Sequence, residues 1–168
     1  DGLFLKIFHT RRNRLLARLQ PAASRFAKNA RVLNKLDITT PSVTEIFWLD
    51  KRKGLSGCLY QPLPGISLEK IHDQNPKLIE EQLPALANLI RELHKKRIYF
   101  RSLHLGNILL LPNGQFGLID FLDLTYKKMP LTKWHTKRNF AHLENYLNRK
   151  RIYDFPLEKL INLYNNME

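Results

Sequence analysis

The sequence predicts an α+β protein with a strand-rich N-terminal part and a mainly helical C-terminal part. Three observations carry this reading. Short apolar runs bounded by turn residues fill the chain up to Gln61. Pro62-Leu63-Pro64-Gly65 is the strongest breaker in the sequence and marks a hinge. Beyond it, apolar residues recur at helical spacing. A chain of 168 residues makes one domain, or at most two small packed lobes. The division expected is residues 1–62, a partial N-terminal lobe of strands and one helix, and residues 63–168, a helical C-terminal lobe.

Taken in order, Asp1-Gly2 is a hairpin signal that predicts a strand upstream of it, and Leu3 to Phe8 reads as the strand that follows. Ser24 to Leu36 reads as a basic amphipathic helix with Phe26, Ala30 and Leu33 on one face. Val43 to Leu49 and Leu55 to Gln61 form a hairpin around the charged turn Asp50 to Gly54. Ser67 opens a short helix, and Leu83 to Lys95 a longer one with Pro84 in its first turn. Ile98 to Leu111 is apolar but interrupted by polar residues. Pro112-Asn113-Gly114 turns the chain into a short strand, Phe116 to Ile119. The last forty or so residues read as helix punctuated by Pro130 and Pro156.

A hydrophobic fraction of 43% is enough for a core without disulfide staples, and the lone Cys58 excludes an internal disulfide or a cysteine-rich zinc site. Cys58 reads as a small buried hydrophobe. His9, His72, His135 and His142 have no metal-ligand spacing, so zinc is not expected. No stretch approaches the length of a membrane span. The net charge of +13 is the unusual quantity. Nine basic residues and no acidic one lie between Lys6 and Lys35, and eight basic residues face Glu144 alone between Lys127 and Arg151. The intervening segment carries ten of each sign. Two basic flanks around a neutral centre point to a polyanionic partner. Trp134, Phe140, Tyr146 and Tyr153 interleave with the second flank, as in base-stacking proteins, but their helical spacing assigns them to packing and argues against nucleic acid as the partner. Arg11, Arg12 and Arg14 read as a phosphate-contacting edge or a solvated turn.

Two segments place polar groups inside apolar strings: Ser102-Leu103-His104-Leu105-Gly106-Asn107-Ile108-Leu109-Leu110 and Leu118-Ile119-Asp120-Phe121-Leu122-Asp123. A hairpin would bring Asn107 and Asp120 to one end, either as turn caps or as hard oxygen ligands suited to Mg²⁺. Mg²⁺ neutralises nucleotide phosphates during phosphoryl transfer.

Arg101 to Leu109 resembles the catalytic loop of the protein-kinase-like fold, and Asp120-Phe121-Leu122 resembles its metal-binding turn. Phe4-Leu5-Lys6-Ile7 is similar to the strand carrying a phosphate-binding lysine, Tyr60-Gln61-Pro62-Leu63 to the segment linking the lobes, and Leu93-His94 to the end of the helix before the loop. Within that fold the chain resembles the bacterial lipopolysaccharide-core kinases, which include the toluene tolerance proteins. The resemblance implies a two-lobed fold with a truncated N-terminal lobe, and phosphate transfer from ATP to an inner-core sugar. Lys6, Tyr60, Gln61 and Leu63 would bind the nucleotide, Asn107 and Asp120 would bind Mg²⁺, and the acceptor would lie near Ser102 and His104. An anionic glycolipid substrate and a cytoplasmic location, with peripheral contact at the inner membrane, follow from the same resemblance.

Three positions depart from the pattern. Ser102 stands where the loop aspartate is expected, Phe100 where a histidine is expected, and Asn29 where a helix glutamate would pair the lysine. The glycine-rich loop would precede Asp1. His104 or Asp123 could replace the missing base; otherwise His104 packs in the loop and Asp123 caps the next segment. The same departures also suit a pseudokinase that keeps the scaffold as a binding module.

Overall fold

The structure, a computed structural model, describes residues 2–9 and 19–166. Arg11, Arg12 and Arg14, and Asp1 of the hairpin signal, lie outside the described residues. The chain divides into two compact units, Asp1–Pro64 and Gly65–Glu168.

Among its described residues, the first unit is a three-stranded antiparallel sheet with one helix on it. Strands β1 (Phe4–Phe8), β2 (Ser42–Asp50) and β3 (Leu55–Gln61) pair in the order β1-β3-β2. Lys6 faces Cys58 in the β1–β3 register. Helix α1 (Ala22–Lys35) buries Ala23, Phe26, Ala27, Ala30 and Leu33 along one stripe. Burying Phe26 and Leu33 contributes about 1.5–3 kcal/mol each. The Ser56 hydroxyl accepts from the Ala23 amide at 3.2 Å, which ties the start of α1 to β3. The helix ends because Asp37 takes φ 58°, and the amides of Asp37 and Ile38 return to the carbonyls of Asn34 and Leu33.

In the second unit, β4 (Ile66–Ser67) leads into α2 (Leu68–Gln74), capped by the Ser67 hydroxyl accepting from the Lys70 amide. Helix α3 runs from Pro76 to Lys95, about two turns earlier than the sequence predicts. Asn75 caps it through its side-chain oxygen, and Pro84 sits inside it rather than in its first turn. Pro84 and Glu80, one turn before it, are both exposed, so the carbonyl that loses its helical partner lies on the solvent side of the helix. Ile79, Leu83, Leu86, Ala87, Ile90 and Leu93 make its buried stripe.

Two small antiparallel pairings follow. Strands β6 (Ile108–Leu110) and β7 (Phe116–Leu118) form a hairpin that β4 joins, and β5 (Ile98–Phe100) pairs with β8 (Leu124–Tyr126). The apolar run from Ile98 is therefore not one strand. It breaks at Arg101 and passes through a 3₁₀ turn, Leu105–Asn107, before pairing again. Helices α4 (Lys133–Lys150) and α5 (Leu157–Asn165) follow, so five helices accompany the sheets among the described residues. Of the four aromatics assigned to packing, Phe140 and Tyr146 are buried, but Trp134 and Tyr153 are exposed. Trp134 lies in the first turn of α4, pointing out beneath the Arg138 guanidinium at 5.0 Å. Among the described residues, no helix is long and apolar enough to cross a membrane.

Candidate active site

Two strand pairings build the site from residues distant in sequence. In the β6–β7 hairpin, Ile108 faces Leu118 and the Ile119 amide donates to the Asn107 carbonyl at 2.9 Å. Asp120 therefore emerges next to Asn107 at one end of the hairpin. In the β5–β8 pair, Phe100 faces Leu124, so the next residue outward on each strand returns to the same place. The Ser102 hydroxyl donates to Asp123 Oδ2 at 2.7 Å, and Arg101 Nε lies 3.7 Å from the same oxygen.

Asn107 is buried and its amide is oriented. Nδ2 donates to the Ser102 carbonyl at 2.9 Å and lies 3.3 Å from His104 Nε2. That assignment leaves Oδ1 as the outward group, since none of the side chain's described hydrogen bonds uses it. Asp120 is exposed and has φ 51°, a left-handed conformation that aspartate adopts more readily than most residues and that Asp37, Arg97 and Arg151 share. An amide oxygen and a carboxylate at one hairpin end suit Mg²⁺, which takes few protein ligands and completes its octahedron with phosphate and water. Among the described residues, no cluster of three or more His, Cys, Asp or Glu side chains offers an alternative cage.

His104 is held as a packing and orienting group. Its ring stacks on Tyr146 at 3.9 Å between centroids and 7° between planes. Burial, and then the Arg149 charge, hold its pKa below the usual histidine value, while Glu69, Asp120 and Asp123 oppose them. Facing the Asn107 NH₂ group, Nε2 accepts, so the neutral ring carries its proton on Nδ1, which is buried without a hydrogen-bond partner. Gly106 makes the close approach possible. A Cβ there would meet Glu69 Oε2 and the Tyr146 hydroxyl at 2.9 Å each. Lys150 holds Glu69 at 2.7 Å, which with Tyr146 lowers the pKa of that carboxyl. Burial and the Glu69 carboxylate push the Tyr146 hydroxyl up.

The loop rests on a second network that the sequence reading did not find. Asn139 of α4 donates from Nδ2 to the Phe100 carbonyl at 2.7 Å, and its Oδ1 lies 3.0 Å from His94 Nε2. His94 Nδ1 in turn lies 2.8 Å from the Tyr164 hydroxyl of α5. Burial lowers the pKa of His94, matching a neutral ring that donates from Nε2 and accepts at Nδ1. Three helices thus fix the strand end from which Ser102 departs. Asn139 and Tyr164 carry no local signal, because their partners lie 39 to 70 residues away.

Basic side chains gather around the same loop. Arg149 lies 5.6 Å over the Tyr146 ring. Arg138 and Arg101 help burial to lower the pKa of His142, against Asp123.

A model of the lipopolysaccharide kinase (Kdo/WaaP) family matches residues 64–164. The chain belongs to this family. The match spans Ser102, His104, Asn107, Asp120 and Asp123 and stops short of Lys6, Tyr60, Gln61 and Leu63. No curated protein matches the chain.

The four residues expected to bind nucleotide all lie in the first unit. Lys6 Nζ sits 5.2 Å over the Phe26 ring. Tyr60 packs against Phe4 and Phe26, Gln61 pairs with Ser42 at the end of β3, and Leu63 is half-buried in the following loop. Cys58 is fully buried, which raises its thiol pKa against the Lys6 charge.

Proposed function

We propose that the protein is a Mg²⁺-dependent phosphotransferase of the two-lobed protein-kinase-like fold, moving phosphate from ATP to a sugar hydroxyl of the lipopolysaccharide inner core. The family supports a lipopolysaccharide kinase. The observation that carries the finer reading is the Ser102–Asp123 hydrogen bond beside the oriented Asn107 amide. It brings a carboxylate to the loop position where the sequence has lost one.

In this reading Asn107 Oδ1 and Asp120 hold Mg²⁺, which when bound neutralises phosphate charge. The acceptor hydroxyl approaches Ser102. Its proton passes to Ser102 Oγ as the Ser102 proton passes to Asp123 Oδ2, and the acceptor oxygen bonds to the γ-phosphorus as the bond from that phosphorus to the β–γ bridging oxygen breaks and ADP leaves. Asp123 ends protonated and Ser102 unchanged. Proton chemistry comes late in a loose phosphoryl transition state, so a relay through a hydroxyl suffices. Neutral His104 orients Asn107. Lys6, Tyr60, Gln61 and Leu63 serve the nucleotide. Arg101, Arg138 and Arg149 meet the anionic groups of the glycolipid, and the enzyme works at the cytoplasmic side of the inner membrane as a peripheral protein.

A second reading, a pseudokinase acting as a binding module for an anionic glycolipid or protein, is favoured by Ser102 and Asn29. A thermal-shift titration with Mg²⁺ and ATP tests the nucleotide site common to both. The wild type gains melting temperature and Asp120→Ala gains less; equal shifts in both would remove Asp120 from the site.

A further inference from the structure

A cavity of about 560 Å³ lies within the second unit, among α3, α4 and α5. Its apolar wall is Leu131, Phe140, Ile161 and Tyr164, and its polar rim includes Lys133, Lys137 and Arg91. The volume falls in the range of small-molecule sites. None of its lining residues is acidic.

Three features of this rim work against stability unless an anion occupies it. Lys133 and Lys137 stand one turn apart on the same face of α4, where like charges repel. They occupy the first two turns, the end at which the helix dipole disfavours cations, and the first turn has no acidic residue. Neither lysine forms an ion pair with a described residue, although other lysines of this unit do so with Glu69, Glu80 and Glu92. Independently, Arg91 donates from Nη1 to the Tyr164 carbonyl at 3.0 Å while its Nε is buried without a partner. That Nε has no exposed surface, so what Arg91 offers an entering ligand is the fixed positive charge of its guanidinium at the rim.

We propose that this cavity binds an anionic single-chain amphiphile, with its head group between Lys133, Lys137 and Arg91 and its chain over Leu131, Phe140 and Ile161. The charge selects a carboxylate or phosphate head, and the apolar wall selects a chain over a free ion. The site is distinct from the loop bearing Ser102 and does not depend on phosphate transfer.

The test is isothermal titration of the full chain with decanoate, decyl phosphate and decanol, each kept below micelle formation. Both anions bind more tightly than decanol by about ten-fold or more, the scale of one charge-assisted hydrogen bond. The ratio of the two anions identifies the preferred head. In Lys133→Gln/Lys137→Gln that advantage disappears, while the melting temperature without ligand holds or rises because two unfavourable cations are gone. Ile161→Trp, which fills the apolar wall, weakens all three ligands. Equal affinity for decanol and the anions, anion binding that survives the double substitution, or no binding of any of them would overturn the proposal.

Discussion

Two polar networks lie a few residues apart in the second unit, and they are built to opposite standards. The His94–Asn139–Tyr164 network satisfies its groups: each ring nitrogen of His94 has one partner, and both ends of the Asn139 amide are used. The loop above it leaves groups open. Asp123 Oδ1 and His104 Nδ1 are buried without partners, and Asn107 Oδ1 is unused. A satisfied buried network rigidifies, whereas open groups cost stability unless a ligand or a reaction uses them. Under the proposed function, the first network is scaffold and the second is the working part.

Substitutions that strike one side of this contrast should separate activity from stability. The largest effect is expected from Asp120→Gly, which removes the carboxylate and relieves the positive φ. Phosphate transfer should fall by about 10³-fold, the scale of losing a charge-stabilising group. The melting temperature should hold or rise, and a fall of several degrees would assign Asp120 to structure. Next, Asp123→Asn should lower kcat about 10²-fold with little change in KM, toward the lower end of general-base effects. Ser102→Ala should cost less, since water can bridge to Asp123. Equal rates for Asp123→Asn and wild type would sever the relay.

Asn139→Leu strikes the scaffold. It strands the Phe100 carbonyl and a His94 nitrogen in a buried site and should cost about 2–3 kcal/mol in chemical denaturation, with activity per folded molecule largely kept at low temperature. The smallest effect is in pH. Burial holds both His94 and His104 below the usual 6.5. The unfolded chain then binds more protons than the folded one as the pH falls through that value. Stability is therefore complete above about pH 6.5 and is lost below it, levelling off once the folded-state values are passed. Melting curves from about pH 7.5 down to about pH 5 should show this decline, and His104→Gln should make it shallower.

Much of the site was legible because its parts are local. Asn107, Asp120 and the Pro112-Asn113-Gly114 turn stand close enough in sequence to predict the hairpin that unites them. Ser102 and Asp123 were read as candidates, but the route joining them was not, because β8 is a three-residue strand with no pattern of its own. Its partner β5 looked continuous with the apolar run after it. The early start of α3 was hidden by Pro84, which reads as a helix opener wherever it occurs near one. Tyr146 was read as packing, yet its stack on His104 ties a C-terminal helix to the loop. Ring spacing on a helix states which face a residue takes and not what it meets.

The central claim is that the open loop transfers phosphate. Its most direct test is transfer of labelled phosphate from ATP to a dephosphorylated inner-core lipopolysaccharide acceptor in the presence of Mg²⁺. The account predicts label on the sugar with wild type, and its loss with chelator or Asp120→Ala. ATP-dependent thermal stabilisation of wild type without any label on the sugar would contradict it and leave the binding-module reading in its place.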